Sequence, residues 1–320
     1  MDPINYKKKI AISVGDLNGI GIELILKSHK RISKLCIPIY CINKTMLLQA
    51  AQKLNIKIPS SFKTYNTKGT FNIKESQISS KSGRYSYDSF IDAIKLTESK
   101  KTKAVVTLPI NKESWNKAGI KQKGHTELLK NYFNKNAIML IGCSKMFVAL
   151  YTQHIPLKDI SKEIKIAKLT NFLIDFYNCT PLTRHVAVLG LNPHASDNGI
   201  LGNEEIKIKK AIENANEIIY KKSARKDYFQ GPKVPDTIFA KFNREKYKYF
   251  IAMYHDQGLA PLKSLYFEKS INISLNLPII RTSVDHGTAF DLAYKNRKTK
   301  KLNDKSYINA VKEAIKLINK

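Results

Sequence analysis

No apolar run in this sequence approaches the roughly 18 residues that a membrane-spanning helix needs, so an integral helical membrane protein is not expected. A secretory leader is not expected either, because the apolar stretch after Lys7, Lys8 and Lys9 runs for only about five residues. The four cysteines, Cys36, Cys41, Cys143 and Cys179, include no CxxC pair, which argues against a disulfide framework or a zinc knuckle. These absences together predict a cytoplasmic protein with reduced thiols. Neither GxGxxG nor HExxH occurs, so the usual dinucleotide fingerprint and the local zinc-ligand pair of metalloproteases are both missing. Acidic residues are scarce: 26 Asp and Glu stand against 55 Lys and Arg, a net charge of +29 that would suit a nucleic-acid binder. The lysines, however, are scattered through the chain without interleaved aromatics. A compositional drift toward Lys, Asn and Ile explains them better, with some help in attracting an anionic substrate, and nucleic acid is not an expected partner.

What is present is a repeated alternation. Short runs rich in Ile and Val occur at 9–15, 37–43, 103–109, 136–142, 146–152, 185–192, 249–255 and 271–278. Amphipathic segments lie between them, at 21–30, 87–98, 157–177, 203–220 and 306–320. Strand and helix at this spacing predict an α/β fold with mainly parallel sheets. The polar stretch 222–235 reads as a linker or an active-site loop. In open α/β sheets ligands bind beyond the carboxyl ends of the strands, so the polar residues that follow each apolar run carry the most weight.

His154, His194 and His255 each occupy such a position, after FVALYTQ, VAVLGLNP and FIAMY respectively. A single histidine there would read as a hydrogen-bonded structural residue; three in the same topological position suggest one divalent ion with coordination positions open to substrate. Neutral imidazoles suit zinc, and also cobalt, nickel or manganese. His125 opens a helix in GHTELL, whereas His29 and His185 read as structural. In VGDLNGIGIE, Gly15, Asp16, Gly19 and Gly21 either present amides to an anion at a helix start or form a tight βα turn. His286, Gly287 and Thr288 lie in a loop read as leading into a helix. Lys263, Asn272 and Arg281 could clamp a phosphate, Arg281 being the stronger candidate because arginine is rare in this chain.

At these residues the sequence resembles the 4-hydroxythreonine-4-phosphate dehydrogenase family of vitamin B6 synthesis. The resemblance is carried, in order, by ISVGDLNGIGIELILK, GHTELL, TQHIPLKDI, GLNPHASDNGILGNEEI, GPKVPDTIF, AMYHDQGLAPLK and INISLNLPIIRTSVDHGTAFDLA, from residue 10 to about 293. It implies a two-domain isocitrate/isopropylmalate-dehydrogenase-like fold with an active site in a cleft, and a homodimer that shares its sites. Residues 1–122 with 286–320 would form the first, discontinuous domain and 123–285 the second. It also implies NAD or NADP and one divalent ion per site (Zn, Mg, Co, Mn or Ni). The reaction would oxidise 4-phosphooxy-threonine to a β-keto acid that loses carbon dioxide to give 3-amino-2-oxopropyl phosphate.

Matched residue by residue, the resemblance makes His154, His194 and His255 the metal ligands. His125, Thr126, Lys263, Asn272 and Arg281 become substrate contacts. Gly15, Asp16, Gly19, Gly21, His286, Gly287, Thr288 and Asp291 are matched to the dinucleotide. Asp236 in VPDTIF and Lys263 are the candidates for the general base, Asp236 being preferred. The chain departs from the family pattern at Leu108 and Asn111, at Ser196 and Asp197, and at Tyr294 and Asn296. A sister dehydrogenase acting on threonate or erythronate phosphate, a phosphate acyltransferase of related fold, and a nucleic-acid binder with a vestigial site are the competing readings.

Overall fold

The computed structural model describes residues 7–181, 185–295 and 302–320. The departure at Asn296 lies outside the described residues. The chain divides into two compact units, 1–137 with 271–320, and 138–270. Relative to the domain limits expected from sequence, this division assigns His125, Asn272 and Arg281 to the first unit.

The first unit opens with β1 (Lys9–Ser13), α1 (Gly21–Leu35), β2 (Ile37–Cys41), α2 (Lys44–Leu54) and β3 (Lys63–Tyr65). It continues with α3 (Ser80–Glu98), β4 (Val105–Thr107), α4 (Lys112–Lys117) and α5 (His125–Phe133). The second unit contains β5 (Ile138–Cys143), β6 (Met146–Leu150), α6 (Ile160–Glu163), α7 (Ile166–Cys179), β7 (Val186–Leu189) and α8 (Glu204–Ser223). After these come β8 (Phe229–Lys233), α9 (Lys241–Arg244), β9 (Tyr249–Ala252) and α10 (His255–Tyr266). The chain then returns to the first unit with β10 (Ile271–Leu275), β11 (Arg281–Val284) and α11 (Lys305–Ile318).

In the first unit the strand order is β3-β2-β1-β4-β11-β10, parallel except for the β10–β11 pair. In the second it is β5-β6-β9-β7-β8, parallel except for β5–β6. Strands such as β6 and β9 are buried along their whole length, as strands covered on both faces must be, which is why they read as unbroken apolar runs. Phe250, Val148, Leu150, Ala187, Leu189 and Leu262 belong to the core of the second unit. Phe90, Ile94, Val105, Trp115 and Leu129 belong to that of the first.

All eight expected strands are present. Three others were not expected: β3, β8 and β11. The stretch read as a linker contains β8, whose FQGPK has no apolar run to announce it. The single helix expected over 157–177 is broken, because Ile164 (ψ 89°) and the extended Lys165 separate α6 from α7. Ile164 is buried at that break, so tertiary burial outweighs local helical pattern. The segment after Thr288 forms turns, not the helix expected.

Candidate active site

In the second unit β6, β9 and β7 are adjacent parallel strands, with Leu150 opposite Ala252 and Ile251 flanked by Ala149 and Val188. His154 follows β6, His255 follows β9 and His194 follows β7. Topology therefore brings the carboxyl ends that carry the three histidines side by side on one sheet edge. The rings of His154 and His255 are 5.7 Å apart between centroids, a separation compatible with a shared ion given metal–nitrogen distances of about 2.0–2.1 Å. His255 Nδ1 also lies 2.6 Å from Asp256 Oδ1, a contact of the kind that fixes a ligand ring's tautomer and orientation.

His194 is not gathered with them in this conformation. Residues His194 to Asn198 all have positive φ, between 44° and 71°, a left-handed run that costs non-glycine residues energy at each step. Among the described residues no three His, Cys, Asp or Glu side chains group closely enough to hold an ion. The donor set thus suits a divalent ion in chemistry and in placement at the sheet edge, with two of its three imidazoles brought together by one chain. Asp236 stands exposed beyond the end of β8, and Lys263 on α10 places its ammonium 5.2 Å from the Phe267 ring centre.

The first unit holds a different constellation. Arg281 is 2% exposed. Its guanidinium donates to Ser274 Oγ at 3.1 Å and Thr107 Oγ1 at 2.7 Å, while Nε has no partner. No ion pair of Arg281 with a carboxylate is found among the described residues. Burial lowers its pKa to about 9. Ser274 lies opposite Arg281 across the β10–β11 pair, and Asn272, two residues along β10, shares Ser274's face; Asn272 Oδ1 is likewise buried without a partner. His125, the first residue of α5, packs edge-on against Phe90 and Trp115, at 4.6 and 5.8 Å between centroids. Burial, and then the positive charge of Arg281, hold its pKa well below the usual value. Its Nε2 is buried and unpartnered as well, and Thr126 beside it is half-buried. Three residues assigned to substrate thus each carry an unsatisfied buried polar atom. Thr107 and Ser274 were not anticipated, since a small hydroxyl inside a strand leaves no distinctive mark in a sequence.

The glycine loop is mostly occupied with its own packing. The amides of Asp16, Gly19 and Ile20 donate to the carbonyls of Pro109, Asp16 and Thr288 at 2.9–3.0 Å, so in this conformation they do not face an anion. A Cβ on Gly15 would come within 2.2 Å of Pro109 O, and one on Gly21 within 2.7 Å of Val14 O. Asp16 is fully buried and accepts from Asn18 N and Ser82 Oγ; burial raises its pKa. His286 Nδ1 lies 3.0 Å from Gly287 O. Nothing lies within 4 Å of where a Cβ on Gly287 would stand, and Asp291 is exposed. Each described departure from the family pattern has a local role. Leu108 is buried against Gly21, and Asn111 caps α4 through Ser114 N at 2.7 Å. Ser196 Oγ bonds to Gly202 O, Asp197 belongs to the left-handed run, and Tyr294 donates to Leu17 O at 2.7 Å. His29 and His185 hydrogen-bond within the structure, to Tyr40 and Ser61 and to Asp227 O.

These features define an α/β protein with imidazoles at the carboxyl ends of parallel strands and a buried guanidinium held by two hydroxyls. The chain belongs to the family of the pyridoxal phosphate biosynthetic protein PdxA, whose sequence model matches residues 34–314. It is 61% identical to the 4-hydroxythreonine-4-phosphate dehydrogenase of Sulfurimonas denitrificans over 97% of this chain and 98% of that one. With the enzyme of that name from Campylobacter fetus it shares 54% identity over the same fractions. The crystal structure of the Klebsiella pneumoniae 4-hydroxythreonine-4-phosphate dehydrogenase superposes with a TM-score of 0.80 at 27% identity, covering 99% of this chain and all of that one. No helix among the described residues is long and apolar enough to cross a membrane.

Proposed function

We propose that this chain is a cytoplasmic, homodimeric dehydrogenase that oxidises 4-phosphooxy-threonine with NAD or NADP, the product then losing carbon dioxide to give 3-amino-2-oxopropyl phosphate. The observation that carries this reading is Arg281: a buried guanidinium balanced by two hydroxyls and, among the described residues, no carboxylate. Burying a charge without a counter-charge is costly, and a phosphate dianion at this point would supply the missing partner. A neutral His125 can donate one ring N–H to a phosphate oxygen without adding a further buried charge. Asn272, from the same strand pair, would offer its Nδ2 amide, and Thr126 its hydroxyl. Lys263 is assigned to the phosphate as well.

His154, His194 and His255 would hold the divalent ion (Zn, Mg, Co, Mn or Ni), the set being completed across the dimer. Such an ion would supply Lewis-acid chemistry to an oxygen of the substrate. Asp236, exposed beyond the end of β8, is assigned as the base that takes the hydroxyl proton, with Lys263 as the other candidate. His286, Gly287, Thr288 and Asp291 are assigned to the dinucleotide. Gly15, Asp16, Gly19 and Gly21 support that loop, since the Ile20 amide is bonded to Thr288 O.

The test follows reduced nicotinamide by absorbance with 4-phosphooxy-threonine, threonate 4-phosphate and erythronate 4-phosphate, each with and without chelator. Turnover of the first substrate that chelator abolishes is expected. Preference for a phosphate lacking the amino group would replace the substrate assignment, and undiminished turnover after metal removal would overturn the triad.

A further inference from the structure

A buried hydrogen-bond chain ties together the three strand ends that carry the histidines. Thr152, two residues before His154, donates both its amide (3.2 Å) and its hydroxyl (2.6 Å) to the carbonyl of Met253. Met253 lies two residues before His255, and its amide donates to Gln257 Oε1 at 2.8 Å. The same carboxamide donates from Nε2 to the carbonyl of Gly190 at 2.7 Å. Gly190 is the first residue after β7, where the segment leading to His194 begins. Beyond it, the amides of Leu191 and Asn192 both donate to Glu205 Oε1 at 2.8 and 2.7 Å, and Asn192 Nδ2 donates to Glu205 Oε2 at 2.8 Å. Gln257 is 9% exposed and Glu205 7%.

We propose that Gln257, supported by Glu205, is a positioning residue that sets where the His194 segment leaves the sheet relative to His255. This rests on the reading of the three histidines as metal ligands. A carboxamide is the side chain suited to the task, because it accepts at one atom and donates at the other from one plane. A carboxylate of the same length could accept from Met253 but would turn an oxygen toward the Gly190 carbonyl. Gly190 leaves little space for adjustment: a Cβ there would meet Ala195 Cβ and Glu205 Oε1 at 3.1 Å. Loss of the Gln257 bridge therefore loosens the take-off of the His194 segment, although all three imidazoles remain in the chain as donors. Supporting contacts around metal ligands are typically worth about 10–100-fold in affinity.

The experiment titrates the metal-stripped, full-length protein with Co(II), followed by visible absorption and calorimetry, for wild type, Gln257→Glu, Gln257→Met and a His154→Ala/His255→Ala control. Gln257→Glu is expected to bind Co(II) about tenfold more weakly. It should need correspondingly more metal for half-maximal turnover, with kcat restored at saturation. Gln257→Met removes both bonds without placing a like dipole there, and should show the same shift should the charged variant fail to fold. Wild-type affinity in both folded variants would overturn the brace while leaving the metal reading intact. Co(II) binding by the double-histidine control equal to wild type would overturn the metal reading, and the brace with it.

Discussion

At the scale of single residues, Arg281 and His125 matter most, because each is a titratable group whose pKa is shifted by burial. A buried guanidinium without a carboxylate costs the fold free energy, and apolar replacement of buried ions is often neutral or stabilising. Arg281→Met should therefore keep or raise the melting temperature while raising KM for the phosphorylated substrate by about tenfold or more, the worth of a charge-assisted hydrogen bond. A loss of stability with unchanged KM would make Arg281 a structural residue. His125 has a pKa in the folded state well below the ordinary 6.5. The unfolded chain therefore takes up a proton first as the pH falls. The stability contribution is complete above 6.5 and declines below it, toward the folded-state value. Denaturant midpoints measured from pH 8 downward should show this decline, and His125→Gln should flatten it in part. A remainder is expected from His29, whose pKa is also lowered by burial. Trp115, the single tryptophan, is 5.8 Å from the His125 ring between centroids, so its fluorescence offers a local readout.

At the scale of elements, the unusual residues of this chain serve as caps and close contacts. Asn111 accepts from Ser114 N at the start of α4, satisfying one of the donors that a helix start leaves open. Asn111→Ala should cost about 1 kcal/mol, seen as a lower denaturant midpoint with an unchanged slope; no change would mean water replaces the cap without loss. The Asn at this position was visible in the sequence as a departure, but its partner was not. The three histidines were legible because each follows an apolar run, and the strand order β6-β9-β7 then makes the strand ends that precede them neighbours. Gln257 was in view within MYHDQG, yet its two hydrogen bonds reach Met253 and Gly190, the latter 67 residues away. Nothing in local spacing announces such a bond.

At the scale of the whole molecule, the +29 charge acts on every part of the chain at once. Most of the described cations are exposed, and several of the ion pairs, such as Lys221–Glu217 and Arg84–Asp88, are surface contacts within helices, each worth little. Self-repulsion of like charge should therefore be relieved by salt, whose screening length falls from about 30 Å at 0.01 M to about 8 Å at 0.15 M. The melting temperature should rise over that range in sodium chloride; a flat response would show that local pairing already balances the charge.

The sequence by itself determined the alternation of elements, the strand-end histidines and the family, because burial on both faces and motif identity are written in runs of adjacent residues. Only the tertiary structure decided that β8 and β11 are strands, that the 157–177 segment breaks at Ile164, and that the amides of Asp16, Gly19 and Ile20 are consumed by packing. It alone showed that Arg281 is buried between the hydroxyls of Thr107 and Ser274, and that Gln257 bridges two strand ends. The physical reason is common to all of these. Hydrogen-bond satisfaction and burial are settled between residues far apart in the chain, where local pattern carries no information.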